Sequence, residues 1–359
     1  MARRKTGETK SPEGEEEGAP KLHPRNTERL FGRAAAEEAF LRAFNAGTLH
    51  HAWLLTGERG VGKATFAYCA ARFLLSRDAG EEPAASLAVP PGHPASRQIS
   101  AGAHPSLFAL GGGAGSGSIG IEEVRRLRSF LSLTSPGGWR AMIVDPANDL
   151  TIASANALLK AIEEPPPRTV FFLIGHGAAT VMPTIRSRCM KLVFRPLNLQ
   201  DFADAVLAAF KTAGLDEPDS QAIAKLHALS GGSPGRALEF AAGGLIPLVE
   251  TLDRIMAGLP RLDYALVHSL IQAAGNARNA QGFAKLCDLL EDRVEALARQ
   301  ALAARSNMPE SAAWAGLWRD LRQRRSELEV LNLDKGAFLM SAFSDMENAA
   351  RKFTRAFPA

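Results

Sequence analysis

Cysteine is scarce: three occur in 359 residues, Cys69, Cys189 and Cys287, far apart and with no CxxC spacing. That pattern suggests neither a zinc knot nor a disulfide framework. Scattered thiols fit a reducing compartment, and a cytoplasmic location is expected. Long apolar runs are also missing, so no membrane span is predicted. The basic start MARRKTGETK is followed by no apolar stretch and does not read as a secretory signal. The acidic run Glu15–Glu16–Glu17 argues against an organelle transit peptide. Charge of one sign is lacking too. Lys+Arg number 42 against 38 Asp+Glu, and a net charge of +4 does not by itself argue for nucleic-acid binding.

What is present is an ordinary globular composition, 46% apolar, in a chain long enough for two or three domains. Residues 1–25 hold Lys, Arg, Glu, Gly and Pro with almost nothing to bury, and read as a disordered tail. From residue 26 to 196 short apolar runs alternate with helical periodicity. Ala52–Leu55, Ala141–Val144 and Val170–Ile174 read as buried strands. Residues 33–46, Ala64–Leu75, Ile121–Leu133 and Ser154–Ile162 read as helices, and Val193 and Phe194 close the sheet. This alternation predicts an α/β domain built on a parallel sheet. Residues 78–118 are rich in Pro, Gly and Ala and predict an irregular surface insertion with one strand near Leu107–Leu110. Strand signals end after Pro196. A small helical domain is expected over 197–245 and an all-α bundle over 246–359. One face of that bundle would carry Phe283, Leu286, Leu290, Val294 and Leu297, with Leu328, Leu331 and Leu333 nearby.

The chemistry-bearing stretch is GERGVGKAT, residues 57–65, lying between a strand and a helix as a phosphate loop requires. Gly57, Gly60 and Gly62 let backbone N–H groups turn toward an anion, the helix start adds positive potential, and Lys63 would reach the outer phosphates. Such loops next place a Ser or Thr on Mg²⁺; this chain has Ala64, which offers no oxygen. Thr65 stays among the cofactor-binding candidates, but it is rotated by ~100° along the helix and is not expected to take over the metal; its plainer role is a bond to its own backbone, and Mg²⁺ binding through it would favour an active ATPase. Asp145 ends a later strand and is placed to approach Mg²⁺ through water, or else to cap the next turn. A carboxylate to orient the attacking water would be expected next, but Pro146 stands there. Nucleotide binding at the loop is therefore compatible with the sequence, whereas hydrolysis should be poor or absent.

A second feature is PTIRSRC, residues 183–189, with Arg186 and Arg188 two apart. Two readings stay open: a surface salt bridge, or an arginine presented to a neighbouring subunit's phosphate site.

Taken in order, HAWLLTG (51–57), GVGKAT (60–65), HPSL (104–107), IGIEEVRRL (119–127), NALLKAIEEPP (156–166), PTIRSRC (183–189) and GGSPGRAL (231–238) resemble the AAA+ clamp-loader family, more narrowly its delta-prime type in bacterial DNA polymerase III. The resemblance covers about residues 26–240. It implies an AAA+ sheet domain, a helical lid and a C-terminal collar. It implies that Arg188, within Ser187–Arg188–Cys189, completes the ATP site of an adjacent motor subunit, and that Arg236 holds the lid position that touches phosphates in ATP-competent relatives, a helix-start charge being the alternative. Lys160 falls on the helix of the coupling region, facing DNA or solvent. The implied cofactor is weakly bound ATP or ADP. The implied partners are the gamma, tau and delta subunits, with the sliding clamp and primed DNA reached through the complex. The sequence departs from relatives that hold zinc with four cysteines after the phosphate-loop helix: residues 76–105 have none, His93 and His104 alone cannot close a site, and no zinc is expected. An active motor of the gamma or tau kind is the competing reading, and a nucleotide-binding regulator without DNA business a third.

Overall fold

The computed structural model describes residues 23–77, 83–111, 118–132, 138–176, 181–276, 282–303, 308–331 and 333–354. Of the tail reading for residues 1–25, residues 1–22 lie outside them, as does the glycine-rich run at 112–117, but Pro24–Asn26 form a short 3-10 helix held by Arg72 donating to Arg25 O at 2.7 Å. The chain divides into two compact units, Met1–Leu238 and Glu239–Ala359.

The first unit is built on five strands: β1 (Ala52–Gly57), β2 (Leu107–Gly111), β3 (Arg140–Asp145), β4 (Thr169–Gly175) and β5 (Met190–Phe194). They form one sheet in the order β2-β3-β4-β1-β5. Every pairing is parallel, with Leu54 opposite Leu173, Thr56 opposite Val193, Gly111 opposite Asp145 and Val144 opposite Leu173. The expected α/β parallel sheet is thus present, and all five C-terminal strand ends share one edge, the edge where open α/β sheets carry their ligands.

Both faces of the sheet are covered, which is why the central residues of β1, β3 and β4 form continuous apolar runs rather than alternating. Trp53, Leu55, Ile143, Phe172 and Ile174 point to one face. There they pack on α1 (Ala34–Asn45) and α2 (Lys63–Leu75), which bring Phe40, Phe66 and Phe73. Leu54, Met142, Val144, Phe171 and Leu173 point to the other face. They meet Val124 and Leu127 of α4 (Ile121–Ser132) and Leu158 and Ile162 of α5 (Ile152–Glu163).

One expectation needs correction. The 78–118 stretch is not merely an irregular surface insertion. It contains a short helix, α3 (Pro94–Ser100), and buries Leu87, Val89, Ala95 and Ile99. Asn45 at the end of α1 exchanges two hydrogen bonds with the Ala84 backbone, both 2.9 Å. Glu37 accepts from the Leu87 N–H at 2.7 Å and the Ser86 hydroxyl at 3.0 Å. Side chains of α1 thus hold the insertion. Among the described residues no cluster of His, Cys, Asp or Glu is arranged to hold a metal.

After the single-turn α6 (Pro183–Arg186) and β5, the unit continues with α7 (Leu199–Ala213), α8 (Ser220–Ser230) and, as far as Leu238, the first part of α9 (Pro234–Ala242). Asn198 caps α7 by accepting from the Asp201 N–H, Asp219 caps α8 by accepting from the Ala222 N–H, and glycines in the left-handed region end both.

The second unit is wholly helical among its described residues: α10 (Ile246–Ala257), α11 (Tyr264–Asn276), α12 (Gly282–Ala303), α13 (Met308–Leu331) and α14 (Lys335–Thr354). Its core includes Leu252, Val267, Leu286, Leu290, Val294, Trp314, Leu328 and Phe343. The apolar face expected around Leu328 is shorter than predicted: Leu331 is 63% exposed and Leu333 53%. No helix of the described residues is long and apolar enough to cross a membrane.

Candidate functional site

The phosphate loop leaves β1 at the ligand-bearing edge of the sheet. Gly57 ends β1 opposite Phe194 of β5. Gly60 (φ +77°) and Gly62 (φ +95°) both lie in the left-handed region, on either side of Val61. That alternation shapes a concave run of backbone N–H groups suited to an anion. Gly62 is also the N-cap of α2, so the positive end of a thirteen-residue helix opens at the loop.

The carbonyls of the loop are engaged by other groups. Lys63 is 3% exposed, and its ammonium donates to Gly57 O at 2.8 Å and Glu58 O at 2.5 Å. Ser233 Oγ donates to Arg59 O at 2.8 Å. The Gly235 N–H donates to Gly60 O at 2.9 Å. Arg33 donates through Nη2 to Val61 O at 2.5 Å and through Nη1 to Arg195 O at 2.8 Å, and it lies over the Phe194 ring. Five successive carbonyls, from Gly57 to Val61, thus accept bonds from the unit's own donors. The loop is fixed by its surroundings and does not depend on a ligand for its shape.

Arg236 arrives with this contact. A Cβ placed on Gly60 would lie 2.8 Å from Arg236 N and 2.6 Å from Ser233 Oγ, so only glycine permits the approach. The GGSPGRAL segment therefore brings the start of α9, and Arg236 with it, against the loop at Gly60.

Asp145 ends β3 beside the same loop. Burial pushes its carboxyl above the ordinary range, while the Lys63 and Arg59 charges pull it back down. Beyond Pro146, Asn148 accepts from the His176 N–H at 2.8 Å, joining the ends of β3 and β4. Glycine-shaped backbone N–H groups and a helix N-terminus fit a phosphate group, and Lys63 lies beside them, its ammonium held by the Gly57 and Glu58 carbonyls. They do not provide a Mg²⁺ hydroxyl, since Ala64 follows Lys63, and Thr65 lies one step round α2. No carboxylate takes the place of Pro146 next to Asp145.

Arg188 lies apart from the loop. It follows α6, beside the edge strand β5. Its Nε pairs with Glu163 of α5 at 2.7 Å, and its Nη1 donates to Thr184 O at 3.1 Å. Both side chains of the pair remain well exposed, 43% and 44%. The two sequence readings of Arg188 are therefore compatible: it forms a surface salt bridge and still faces solvent.

A family model described as "DNA polymerase III, delta subunit" matches residues 32–198. The DNA polymerase III subunit delta' of Escherichia coli is 31% identical over 266 residues, which cover 72% of this chain and 74% of that protein. This chain belongs to the delta' family of DNA polymerase III subunits. The delta' of Pseudomonas aeruginosa is 39% identical over 191 residues, 51% of this chain, and the match spans 53%, about half, of that relative's length. The gamma subunit of Buchnera aphidicola is 27% identical over 258 residues, covering 69% and 68% of the two chains.

For this delta' family member, the segment that matches the family model holds Arg33, the phosphate loop, Asp145, Glu163 and Arg188, while Arg236 lies beyond it. Sequence reasoning singled out the loop, Asp145, Arg188 and Arg236. It did not single out Arg33 or Ser233, which the structure bonds to loop carbonyls. Ser233 stands inside a motif already singled out, and only its hydroxyl bond to Arg59 reveals a role. Arg33 acts on a residue 28 positions away, and no spacing rule connects the two.

Proposed function

We propose that the chain is a clamp-loader subunit that assembles with gamma or tau and delta subunits and helps place a sliding clamp on primed DNA. Its own loop binds ATP or ADP weakly and does not turn it over, and Arg188 serves the ATP site of a neighbouring subunit. Family membership supports the assembly. The carrying observation for the division of labour is chemical: an ordered phosphate loop retains Lys63 but is followed by Ala64, and Asp145 is followed by Pro146. Phosphoryl transfer depends on positioned charge, and the groups that hold the metal and orient water are the ones missing. The exposed guanidinium of Arg188 supplies what such a site needs from outside.

The test is Arg188→Ala in the complete loader. Assembly is expected to persist while clamp- and DNA-stimulated ATP hydrolysis slows. An unchanged rate removes the finger assignment. The motor-like alternative rests on the likeness to a gamma subunit and requires the isolated chain to hydrolyse ATP.

A further inference from the structure

We infer that Glu163 is a positioning residue for Arg188: it anchors the back of the guanidinium so that the outer edge stays aimed at a phosphate brought by a neighbouring subunit. The inference rests on the finger reading of Arg188 and deepens it.

Three observations carry it. The first is which atoms are used. Glu163 Oε1 forms an ion pair with Nε, the nitrogen nearest the chain, at 2.7 Å. Nη1 is steadied by Thr184 O at 3.1 Å and by Ser187 Oγ at 3.4 Å, on the side facing α6. Ser187 Oγ itself donates to Thr184 O at 3.0 Å, so the turn that carries the arginine is braced by the same carbonyl. No protein acceptor among the described residues takes Nη2. A guanidinium offers five N–H donors in a rigid fork, and fixing Nε leaves the terminal nitrogens for a second, bidentate partner.

The second observation is electrostatic. Glu163 is the last residue of α5, and Glu164 is its C-cap. Carboxylates at a helix C-terminus face the negative end of the macrodipole, which is unfavourable. Arg188 compensates Glu163 there. Among the described residues the salt-bridge partner of Glu163 is Arg188, so this carboxylate's unfavourable place is offset by the arginine proposed as the finger.

The third is exposure. Exposed ion pairs contribute little to folding stability, because water competes for both charges and two long side chains must be ordered. With 43% and 44% of the side chains exposed, this pair does not hold the fold together. What it changes is the orientational freedom of one guanidinium, and orientation is what an arginine acting on a phosphate must have in advance.

The experiment uses the complete loader with ATP, clamp and primed DNA, comparing wild type, Glu163→Ala, Glu163→Gln, Arg188→Ala and the double variant. Glu163→Ala is expected to lower kcat roughly threefold to tenfold with KM for ATP and subunit assembly unchanged. Glu163→Gln, which keeps an acceptor oxygen for Nε, should recover part of that loss. In the Arg188→Ala background, Glu163→Ala should have no further effect. The melting temperature of the isolated chain should not move. If Arg188→Ala slows the loader and Glu163→Ala does not, the positioning role is wrong and the finger reading stands. A faster Glu163→Ala loader also overturns it, since the carboxylate would then restrain the arginine. If Arg188→Ala itself has no effect, the underlying finger reading has failed.

Discussion

Ala64 and Pro146 replace two oxygens that a Mg²⁺-dependent hydrolase needs, and the loop around them stays intact. Restoring one oxygen tests this directly: Ala64→Ser should strengthen nucleotide binding in the presence of Mg²⁺ but not in EDTA, measured by calorimetry, with hydrolysis still near background because Pro146 remains. Gly60→Ala should destabilise the chain by about 1–3 kcal/mol and abolish nucleotide binding. The added Cβ would sit 2.6 Å from Ser233 Oγ, on a residue whose φ is +77°. Asp145→Asn should raise the denaturation midpoint at neutral pH. Burial lifts its folded-state pKa above the unfolded value, so ionising it opposes folding once the pH passes the ordinary carboxylate range. A lowered midpoint would mean that the attraction of Lys63 and Arg59 outweighs burial. The loop glycines, Lys63 and Asp145 were readable from the sequence because a strand, a turn and a helix start are local events. Arg33 was not, since its bond to Val61 O depends on how α1 packs against the sheet.

Among the elements, the strands were the most legible. β1, β3 and β4 are buried on both faces and leave an apolar run with Gly or Asp at the end. The helix α3 was not legible, because seven residues are too few for periodicity and its cap is His93, an uncommon one. In the second unit Arg322, Arg324 and Arg325 cross-link helices through carboxylates. Arg325 pairs with Asp288 at 2.7 Å and Glu291 at 2.9 Å, and Arg324 with Asp345 at 2.7 Å. Arg325→Ala leaves Asp288 without this partner and Glu291 with only the longer contact to Arg322 at 3.7 Å, at a half-buried helix interface, and should cost about 2 kcal/mol in urea denaturation. Glu347 of α14 gives this unit an acid limit. It is 6% exposed and accepts from the Leu262 N–H at 3.0 Å and the Tyr264 hydroxyl at 2.9 Å, and pairs with Arg351. The Leu262 and Tyr264 bonds, with Arg351, hold its carboxyl below the usual 4.5. A depressed carboxylate stabilises the fold above its unfolded pKa, and that contribution fades as pH falls below about 4.5 toward the folded value. Glu347→Gln should therefore lower the denaturation midpoint at pH 7 and narrow the gap to wild type in acid. A gap that persists unchanged at pH 3 would contradict the assignment.

At the scale of the whole molecule, the described residues make a sheet unit with the phosphate loop at one edge and Arg188 beside the edge strand, and a separate helical unit. The order of the sequence motifs disclosed the family because together they span β1, the phosphate loop, α4, α5, α6 and the start of α9 in a fixed sequence. The helical unit disclosed only its class, since many sequences satisfy a bundle and its apolar stripe says little about partners. The central claim is that this chain keeps a phosphate loop without the groups to use it, and that its contribution to ATP chemistry is made elsewhere. The most direct measurement is steady-state ATP hydrolysis by the purified, isolated chain with and without Mg²⁺. The account predicts no turnover above background in either condition. Robust Mg²⁺-dependent turnover by the isolated chain would contradict it.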